Sequence, residues 1–370
     1  REDRGAFSLA DADESLAGRG LRRPAVRLVR DGDVLAPSRW TRRARTGSVW
    51  IDDLVDPAKV LGLFAEGATI VFQSLQRWWP PVASFCRALE EALGHPVQAN
   101  AYLTPAGAAG LEPHHDTHDV FVLQLAGTKA WSIHEPVLVD PLPSQPWKGT
   151  AADAGEPIFT VELRAGDCLY VPRGFLHSAR AQDDLSAHLT IGVVTTTWDD
   201  VVRTVLAGIA EEPEFRGALP AGYATADLAP LAAGVEEALA RLRKWLDGVD
   251  AEAVAAAQAR RFLGGRPPIL AGQLHQLRAL DALDDGAVLR RREGSVCLLV
   301  RESDALAVVT GDRELRMPVA LEPAMRRIAG LGPGRSFRLG DLGDLMDGPS
   351  RLVLGRRLVA EGLLENVAVG

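Results

Sequence analysis

The chain has 370 residues, of which 47% are hydrophobic and 24% are charged. This length predicts two or three domains, because a domain usually holds about 100 to 200 residues. The formal net charge of -8 argues against a surface that attracts nucleic acid or acidic membranes in general. No apolar run approaches the ~20 residues that a membrane-spanning helix requires, so we expect a soluble protein.

The cysteines indicate a reducing environment. Cys86, Cys168 and Cys297 lie far apart and form no CxxC pair, which supports neither a disulfide framework nor a thiolate zinc site. We therefore expect a cytoplasmic protein. The chain begins at Arg1 rather than at Met, and we expect further residues upstream in the full-length protein.

The first half of the chain predicts mostly strands. Residues 1 to about 60 read as strands and turns, and VASFCRALEEAL predicts a helix over Pro81–Leu93 that ends before Gly94. From Val97 to about Val194, short strand-like segments alternate with Gly and Pro breaks. These segments are VQANAYLT, DVFVLQLAG, AWSIHEP, PIFTVEL, DCLYVP and AHLTIGVVT. Many short strands broken in this way predict a barrel or a double-sheet jelly roll.

The second half changes character after Thr197. Ala- and Leu-rich stretches with a 3.6-residue period predict helices over residues 199–263. GGRPPILAGQ breaks that pattern, and the sequence from Ala287 to Pro318 alternates like two small hairpins. Three short helices are then predicted in ALEPAMRRIAG, RLGDLGDLM and SRLVLGRRLVAEGLLEN. Short helices beside small strands suggest a winged-helix module at the end of the chain.

A dense polar cluster, EPHHDTHD, begins at Glu112 inside the strand-rich half. In a strand, residues i and i+2 share a face, so His114 and Asp116 would point into the barrel while His115 points away. The Pro and Gly of GDCLYVPRGFLH shape a turn that would aim His177 inward. Two histidines and one carboxylate on a single face are typical of non-haem Fe(II) oxygenases, which leave coordination positions open for cosubstrate and oxygen.

The HxD tripeptide and Lys129 each have a less specific interpretation. A lone HxD tripeptide is more often a solvated strand end or a structural histidine, and it is the distant His177 motif that favours a metal site. Lys129 follows an apolar run, where a buried lysine needs a partner such as a dicarboxylate, because an unpaired buried charge is costly. The alternative is that Lys129 lies at an exposed turn after Gly127.

At these positions the sequence resembles the JmjC-type ribosomal oxygenases, which are cupin-fold protein hydroxylases dependent on Fe(II) and 2-oxoglutarate. The resemblance is carried by NAYLTP, EPHHDTHDVFVLQLAGTKAW, GDCLYVPRGFLHSA and AHLTIGV. It implies an α+β fold with a double-stranded β-helix (jelly-roll or cupin) JmjC domain over residues 1–198. A helical dimerisation segment would follow over residues 199–280, and a winged-helix-like C-terminal domain over residues 281–370.

The resemblance also implies roles for single residues. His114, Asp116 and His177 would bind Fe(II). Lys129 would pair with the distal carboxylate of 2-oxoglutarate. Asn100 would lie beside that cosubstrate, with Tyr102 on the same strand face. For the other polar residues of the two motifs we prefer structural roles; these residues are His115, His118, Asp119, Arg173 and His188.

The activity implied is an oxygenase that uses O2 and 2-oxoglutarate to hydroxylate a protein side chain, classically an Arg or His of a ribosomal protein. The family layout further implies a homodimer. A hydroxylase of a peptide natural product is an alternative. A non-oxygenase cupin that holds Zn or Mn is another, against which Lys129 and Asn100 count.

A DNA-binding regulator is a third class. It would rest on Arg351, Arg356 and Arg357, but acidic neighbours make that segment nearly charge-balanced. A helix that enters a DNA groove normally lies in a clearly basic surface. We therefore expect no direct DNA binding.

Overall fold

The computed structural model describes residues 6–108, 111–224, 227–332 and 334–369. The chain separates into two compact units, Arg1–Thr195 and Thr196–Gly370. Within the described residues, no helix is both long enough and apolar enough to cross a membrane.

The first unit contains three α-helices among its described residues and a larger set of strands. The helices are α1 (Leu9–Gly18), α2 (Pro57–Ala65) and α3 (Pro80–Leu93). The strands are β1 (Val26–Arg30), β2 (Asp33–Val34), β3 (Thr41–Thr46), β4 (Val49–Val55), β5 (Thr69–Phe72), β6 (Val97–Thr104), β7 (Asp119–Ala126), β8 (Thr128–Pro136), β9 (Phe159–Arg164), β10 (Cys168–Val171), β11 (Phe175–Ala181) and β12 (Ser186–Val193).

Two antiparallel sheets form the body of this unit. The larger sheet has the strand order β10-β7-β12-β6-β5-β1-β2, and the smaller has the order β11-β8-β9. Apolar side chains from both sheets meet in one cluster, which includes Val122 of β7 and Trp131 of β8. The expected jelly roll is thereby confirmed, with β3 and β4 as a separate hairpin.

Alternation along β6 separates the core of the larger sheet from its inner face. Ala99 and Ala101 are fully buried in the main hydrophobic core, which also includes residues of α3. The residues between them point to the opposite face. Asn100 and Tyr102 therefore face the space between the two sheets, where both line a cavity.

Of the α-helices of this unit, α3 was predicted from the sequence and α1 and α2 were not. The helix expected over Pro81–Leu93 is confirmed as α3. The expectation of strands and turns alone over residues 1 to 60 was wrong, because α1 and α2 begin there. Each is short and starts from a side-chain cap, Ser8 for α1 and Asp56 for α2. Helices of this length show little periodicity, which explains why the apolar pattern did not reveal them.

The polar cluster before β7 is not a strand. His114 makes an isolated antiparallel bridge to His177, and residues 115–118 are irregular. The premise of an extended strand was therefore wrong. The expected directions of the side chains nevertheless hold. His114 and Asp116 line the cavity, whereas His115 does not.

The structure places His177 and Lys129 on strands. His177 is the third residue of β11, a strand that the sequence pattern missed, and the predicted turn precedes it at Arg173 and Gly174. Lys129 is the second residue of β8, so it is not carried by the apolar strand β7 that follows the polar cluster. Gly127 lies between β7 and β8 and has a left-handed backbone conformation, with φ +61°.

The second unit begins with helices and continues with small sheets. Its helices are α4 (Trp198–Ala207), α5 (Ala229–Leu246), α6 (Ala251–Gly264), α7 (Gln273–Arg278), α8 (Glu322–Gly330) and α9 (Gly348–Ala360). Its strands are β13 (Val288–Arg291), β14 (Leu298–Arg301), β15 (Ala305–Val309), β16 (Glu314–Pro318), β17 (Ser336–Arg338) and β18 (Leu364–Asn366). Helices α4, α5 and α6 fall in the region predicted to be helical.

Strand pairing in this unit differs from the two separate hairpins expected. Strands β14, β15 and β16 form one sheet in which the two hairpins share β15, whereas β13 pairs with β17 and β18. These partners of β13 are distant in sequence, so local alternation could not identify them.

The predicted helix in RLGDLGDLM is a 3-10 helix over Leu339–Leu342. Leu289, Met325 and Leu358 are central members of the core of this unit.

Candidate functional site

A cavity of about 270 Å³ lies between the two sheets of the first unit. One wall comes from β1, β5, β6 and β12, and the opposite wall from β8 and β11. The residues singled out as metal or cosubstrate ligands all line it; these are His114, Asp116, His177, Lys129, Asn100 and Tyr102.

Backbone pairing brings the two histidines together. The His177 N–H donates to the His114 carbonyl at 2.8 Å, and the His114 N–H donates to the His177 carbonyl at 3.2 Å. The Gly174 N–H donates to the Asp116 carbonyl at 3.0 Å. Gly174 has a positive φ, and a Cβ there would collide with the Leu138 carbonyl oxygen. The glycine of PRGF is therefore required where the chain passes behind Asp116.

His114, Asp116 and His177 form a cluster able to hold a metal ion. One ligand atom from each of these residues lies within 4.8 Å of the others, and His177 Nε2 lies 3.8 Å from Asp116 Oδ2. The two imidazole rings are 4.6 Å apart between centroids. Two imidazoles and one carboxylate on one side of a cavity match the donor set of a facial triad.

Hydrogen bonds fix which nitrogen of each histidine is available. His114 Nδ1 lies 2.7 Å from the Glu112 carbonyl oxygen, and His177 Nδ1 lies 3.0 Å from the Phe175 carbonyl oxygen. A carbonyl oxygen only accepts, so each Nδ1 must carry the proton and donate it. In the neutral ring, Nε2 then presents a lone pair, which is the arrangement that a second hydrogen bond imposes on metal-binding histidines.

Electrostatics keep His177 neutral. Burial, and after it the neighbouring His114, lower the pKa of His177 to about 4, although the Asp116 carboxylate opposes the shift. A histidine with this pKa is unprotonated near neutral pH, so no proton competes with a cation for its lone pair.

Lys129 is buried, with 2% of its surface exposed. Its Nζ donates to Thr104 Oγ1 at 3.1 Å. Burial lowers its pKa to about 7, and the described residues provide no ion pair for it. Of the two positions considered for Lys129, the structure therefore supports the buried one. An ammonium group in this setting needs an anion that the fold itself does not supply.

Asn100 and Tyr102 line the same cavity as this lysine, on the wall formed by β6. Asn100 Oδ1 accepts the Ser74 N–H at 2.9 Å, which leaves the Asn100 amide nitrogen as its remaining polar group towards the cavity. The Tyr102 ring stacks on His188, with centroids 4.9 Å apart and planes 3° from parallel. Burial, and after it the charge of Lys129, hold the pKa of His188 well below its usual value, so His188 is neutral.

The remaining polar residues of the two motifs fall into two groups. His118 and His188 line the cavity. His115 is buried elsewhere, with Nε2 at 3.2 Å from the Gln145 carbonyl oxygen. Asp119 accepts hydrogen bonds from Tyr170, from the Arg173 backbone and from Thr195, and the Arg173 side chain pairs with Asp140 at 3.1 Å. His115, Asp119 and Arg173 therefore have structural contacts.

Some cavity residues were missed by sequence reasoning. Arg27 of β1 and Thr69 of β5 line the cavity, and Thr104 is the hydrogen-bond partner of Lys129. VRLVR on β1 offers both Arg27 and Arg30, and nothing in that pattern indicates which arginine faces inward. The pairing of β1 with β5 places Arg27 on the face that lines the cavity.

Part of this chain is similar to a known protein family. The family model of the JmjC domain matches residues 73–201. The chain is 40% identical over 176 residues to the "Bifunctional lysine-specific demethylase and histidyl-hydroxylase NO66" of Dictyostelium discoideum, a match that covers 45% of this chain and 34% of that protein. It is 38% identical over 179 residues to "Ribosomal oxygenase 1" of Rattus norvegicus, covering 45% of this chain and 30% of that protein. The chain thus spans about a third of the length of these curated relatives.

Solved structures share the fold over nearly the whole chain. The Escherichia coli ribosomal oxygenase YcfD, solved in complex with cobalt and 2-oxoglutarate, superposes with a TM-score of 0.53 at 19% identity, covering 98% of this chain and 91% of that one. Another structure of E. coli YcfD gives a TM-score of 0.56 at 19% identity, covering 98% of this chain and 92% of that one. At this level of identity the likeness concerns the fold.

Proposed function

We propose that the protein is an Fe(II)- and 2-oxoglutarate-dependent oxygenase, from the premise that residues 73–201 match the family model of the JmjC domain. The observation that carries the proposal is a single cavity with a His-Asp-His cluster and, on the same β-lined space, a buried lysine without an anionic partner among the described residues. A metal site alone would fit many cupins. The lysine adds the requirement for an anionic ligand.

His114, Asp116 and His177 would hold the metal. Both imidazoles have Nδ1 bonded to a backbone carbonyl and Nε2 left for a metal, and the carboxylate neutralises part of the charge of a divalent cation. When bound, iron and 2-oxoglutarate together supply the chemistry of O2-dependent hydroxylation, in which 2-oxoglutarate is converted to succinate and CO2. The chain's own part is to fix the ligands, exclude water and direct the target C–H bond towards the metal.

Lys129 would pair with the distal carboxylate of 2-oxoglutarate. The Asn100 amide nitrogen and the Tyr102 hydroxyl stand on the facing wall as further donors. A site of donors around a buried ammonium selects a ligand that carries acceptors only, which describes a carboxylate. This donor set also counts against a non-oxygenase cupin, which would leave Lys129 unpaired.

The substrate we propose is a protein side chain, an Arg or a His of a ribosomal protein. Support comes from the names of the relatives, a histidyl-hydroxylase and ribosomal oxygenases. A peptide natural product is the alternative substrate. Incubation of candidate ribosomal proteins with the enzyme, followed by intact-mass measurement, would show the gain of one oxygen atom on the correct protein and on no other.

The second unit would serve assembly and not DNA binding. Val235, Leu239, Leu242 and Leu246 follow each other at spacings of four, three and four along α5 and share one helix face. Three of them are exposed, by 47%, 44% and 41% for Val235, Leu239 and Leu246. This apolar row supports the proposal of a homodimer through residues 199–280, with residues 281–370 as a winged-helix-like domain.

A direct test is anaerobic binding of Fe(II) and 2-oxoglutarate, followed by O2-dependent release of succinate. The His114→Ala variant should lose metal binding, because only two of the three proposed ligands remain. His115→Ala is the matched control, since the neighbouring histidine faces away from the cavity. Failure of the wild-type protein to bind 2-oxoglutarate in the presence of metal would refute the oxygenase assignment.

A further inference from the structure

Gln98 and His118 form a polar pair on the inner face of the larger sheet. Gln98 lies on β6, His118 lies in the irregular segment before β7, and both line the cavity. The Gln98 amide nitrogen lies 3.5 Å from His118 Nε2. A hydrogen bond of this length is weak, so neither side chain is fully satisfied by the other. Both can therefore bind a third polar group.

Gly192 of β12 provides the space that the His118 ring occupies. It lies opposite Gln98 of β6 and opposite Val120 of β7. A Cβ at residue 192 would lie 2.6 Å from His118 Nε2 and 3.2 Å from Gln98 Cγ. Non-bonded heavy atoms pack at about 3.5 to 4 Å, so a larger residue would displace the ring. Glycine thus lets the imidazole lie directly on the inner face of the sheet, beside Gln98.

The pair is distant from the end of the cavity where Lys129 lies. Lys129 Nζ donates to Thr104 Oγ1, and Gln98 is at the other end of the same strand, β6, about 20 Å away at 3.3 to 3.4 Å per residue. His118 instead follows the proposed metal ligand Asp116 by two positions. A molecule of 2-oxoglutarate held by Lys129 is too short to span this distance. Gln98 and His118 therefore face the space that remains for the target side chain.

The charges around this space disfavour a cationic target. Of the described residues that line the cavity, Asp116 is the one carboxylate, and it is a proposed metal ligand, whereas Arg27 adds a cation. A guanidinium target would bring donors only, and no carboxylate would be free to accept them. An uncharged imidazole has one donor and one acceptor. After its contact with His118, the Gln98 amide retains one N–H donor and its carbonyl acceptor, which match an imidazole.

We propose that Gln98 and His118 form the specificity-determining pair of the cavity and select an uncharged imidazole over a guanidinium as the target side chain. This inference rests on the proposed function and deepens it, because it chooses histidine between the two residue types. Gln98 binds the target ring through its amide. His118 adds an aromatic face and a hydrogen-bonding nitrogen. Gly192 is a positioning residue that acts through His118.

The test measures binding of two capped amino acids, N-acetyl-histidine methylamide and N-acetyl-arginine methylamide, to the protein loaded with Mn(II) and 2-oxoglutarate. Broadening of the proton signals of each probe by Mn(II) gives its dissociation constant and reports its proximity to the metal. At about pH 8 the imidazole is uncharged and the guanidinium is charged. We expect the wild type to bind the histidine probe more tightly. Equal or tighter binding of the arginine probe would overturn the proposal.

Variants of Gln98 test its role in both directions. Gln98→Leu removes the amide and should weaken binding of the histidine probe about fivefold, the effect of one hydrogen bond. Gln98→Glu supplies the missing carboxylate and should strengthen binding of the arginine probe about tenfold. Gln258→Glu, at a residue of α6 that donates to Thr204, is the matched control and should leave both constants unchanged. Unchanged binding of the histidine probe by Gln98→Leu would show that this probe only ligates the metal, which would refute the proposal.

Variants at residues 118 and 192 test the place of the imidazole. His118→Phe keeps a ring and removes its nitrogens, and Gly192→Ala displaces the ring from the sheet. Each should weaken binding of the histidine probe more than that of the arginine probe, and equal losses would overturn the role of His118. If Gly192→Ala does not fold, His118→Phe decides alone. A wild type that binds no 2-oxoglutarate would refute the proposed function, and the two probes with Mn(II) alone would still decide the selectivity.

Discussion

Lys129 shows at the scale of one residue how burial changes the chemistry of a common side chain. Its ammonium is almost entirely removed from water, and a hydroxyl, Thr104 Oγ1, is its hydrogen-bond partner. A hydroxyl offsets part of the desolvation cost of the charge, but it carries no negative charge itself. The charged form is therefore disfavoured until an anion arrives, which is why burial lowers the pKa of Lys129 to about 7.

This pKa predicts how cosubstrate binding depends on pH. Below about pH 7 Lys129 is already protonated in the free protein, so binding requires no proton uptake. Above that pH the free protein must take up a proton when it binds the carboxylate, and the affinity for 2-oxoglutarate should fall by up to about tenfold per pH unit. Calorimetry with Mn(II) across this range tests the expectation.

Lys129→Arg supplies the comparison for this pH profile. A guanidinium group stays protonated throughout the range, so its binding curve should be flat where the wild-type curve falls. A wild-type affinity that does not change between pH 7 and about pH 9 would contradict the role assigned to the protonation of Lys129.

At the scale of elements, the turn between β7 and β8 determines where Lys129 points. Gly127 adopts a positive φ, and a Cβ at this position would collide with the Leu185 carbonyl oxygen. The chain can therefore pass from one sheet to the other only with glycine here. Lys129 follows two residues later on β8, with its side chain inside the jelly roll.

Gly127→Ala should destabilise the protein by at least about 2 kcal/mol, because backbone strain and a collision with the backbone add together. Gly47→Ala is the matched control. Gly47 has the same φ of +61°, but its Cβ would meet nothing within 4 Å, so its cost should be near 1 kcal/mol, the strain alone. Chemical denaturation of both variants measures the difference, and equal costs would show that the Leu185 contact is unimportant.

At the scale of the whole molecule, the second unit carries the apolar row on α5 that we assign to a homodimer. Within α5 no residue is buried, although the helix has an apolar face. An amphipathic helix usually gains its stability by covering that face. A second copy of the chain would cover it.

Leu239→Glu should convert the proposed dimer to a monomer. The substitution places a carboxylate in the middle of the apolar row, where association would remove it from water. Ala233→Glu introduces the same group on the opposite face of α5 and should leave the dimer intact. Light scattering across protein concentrations measures both variants. A wild-type protein that is monomeric throughout would contradict the dimer proposal.

Local pattern predicted a large part of this protein. Six of the seven strands β6 to β12 were predicted, with β11 missed, and α3 was predicted within one residue. The family resemblance pointed to His114, Asp116 and His177, which the structure brings together. The short helices α1 and α2 were missed because a few turns of helix produce little periodicity.

The available chemical groups and the positions of most strands can be predicted from the sequence, since alternation and motif spacing are local properties of the chain. What those groups contact depends on the tertiary structure. The bridge between His114 and His177, the burial of Lys129 and the inward position of Arg27 all depend on pairing between strands distant in sequence. No local pattern specifies such partners, because backbone hydrogen bonds in a sheet are the same for every pair of strands.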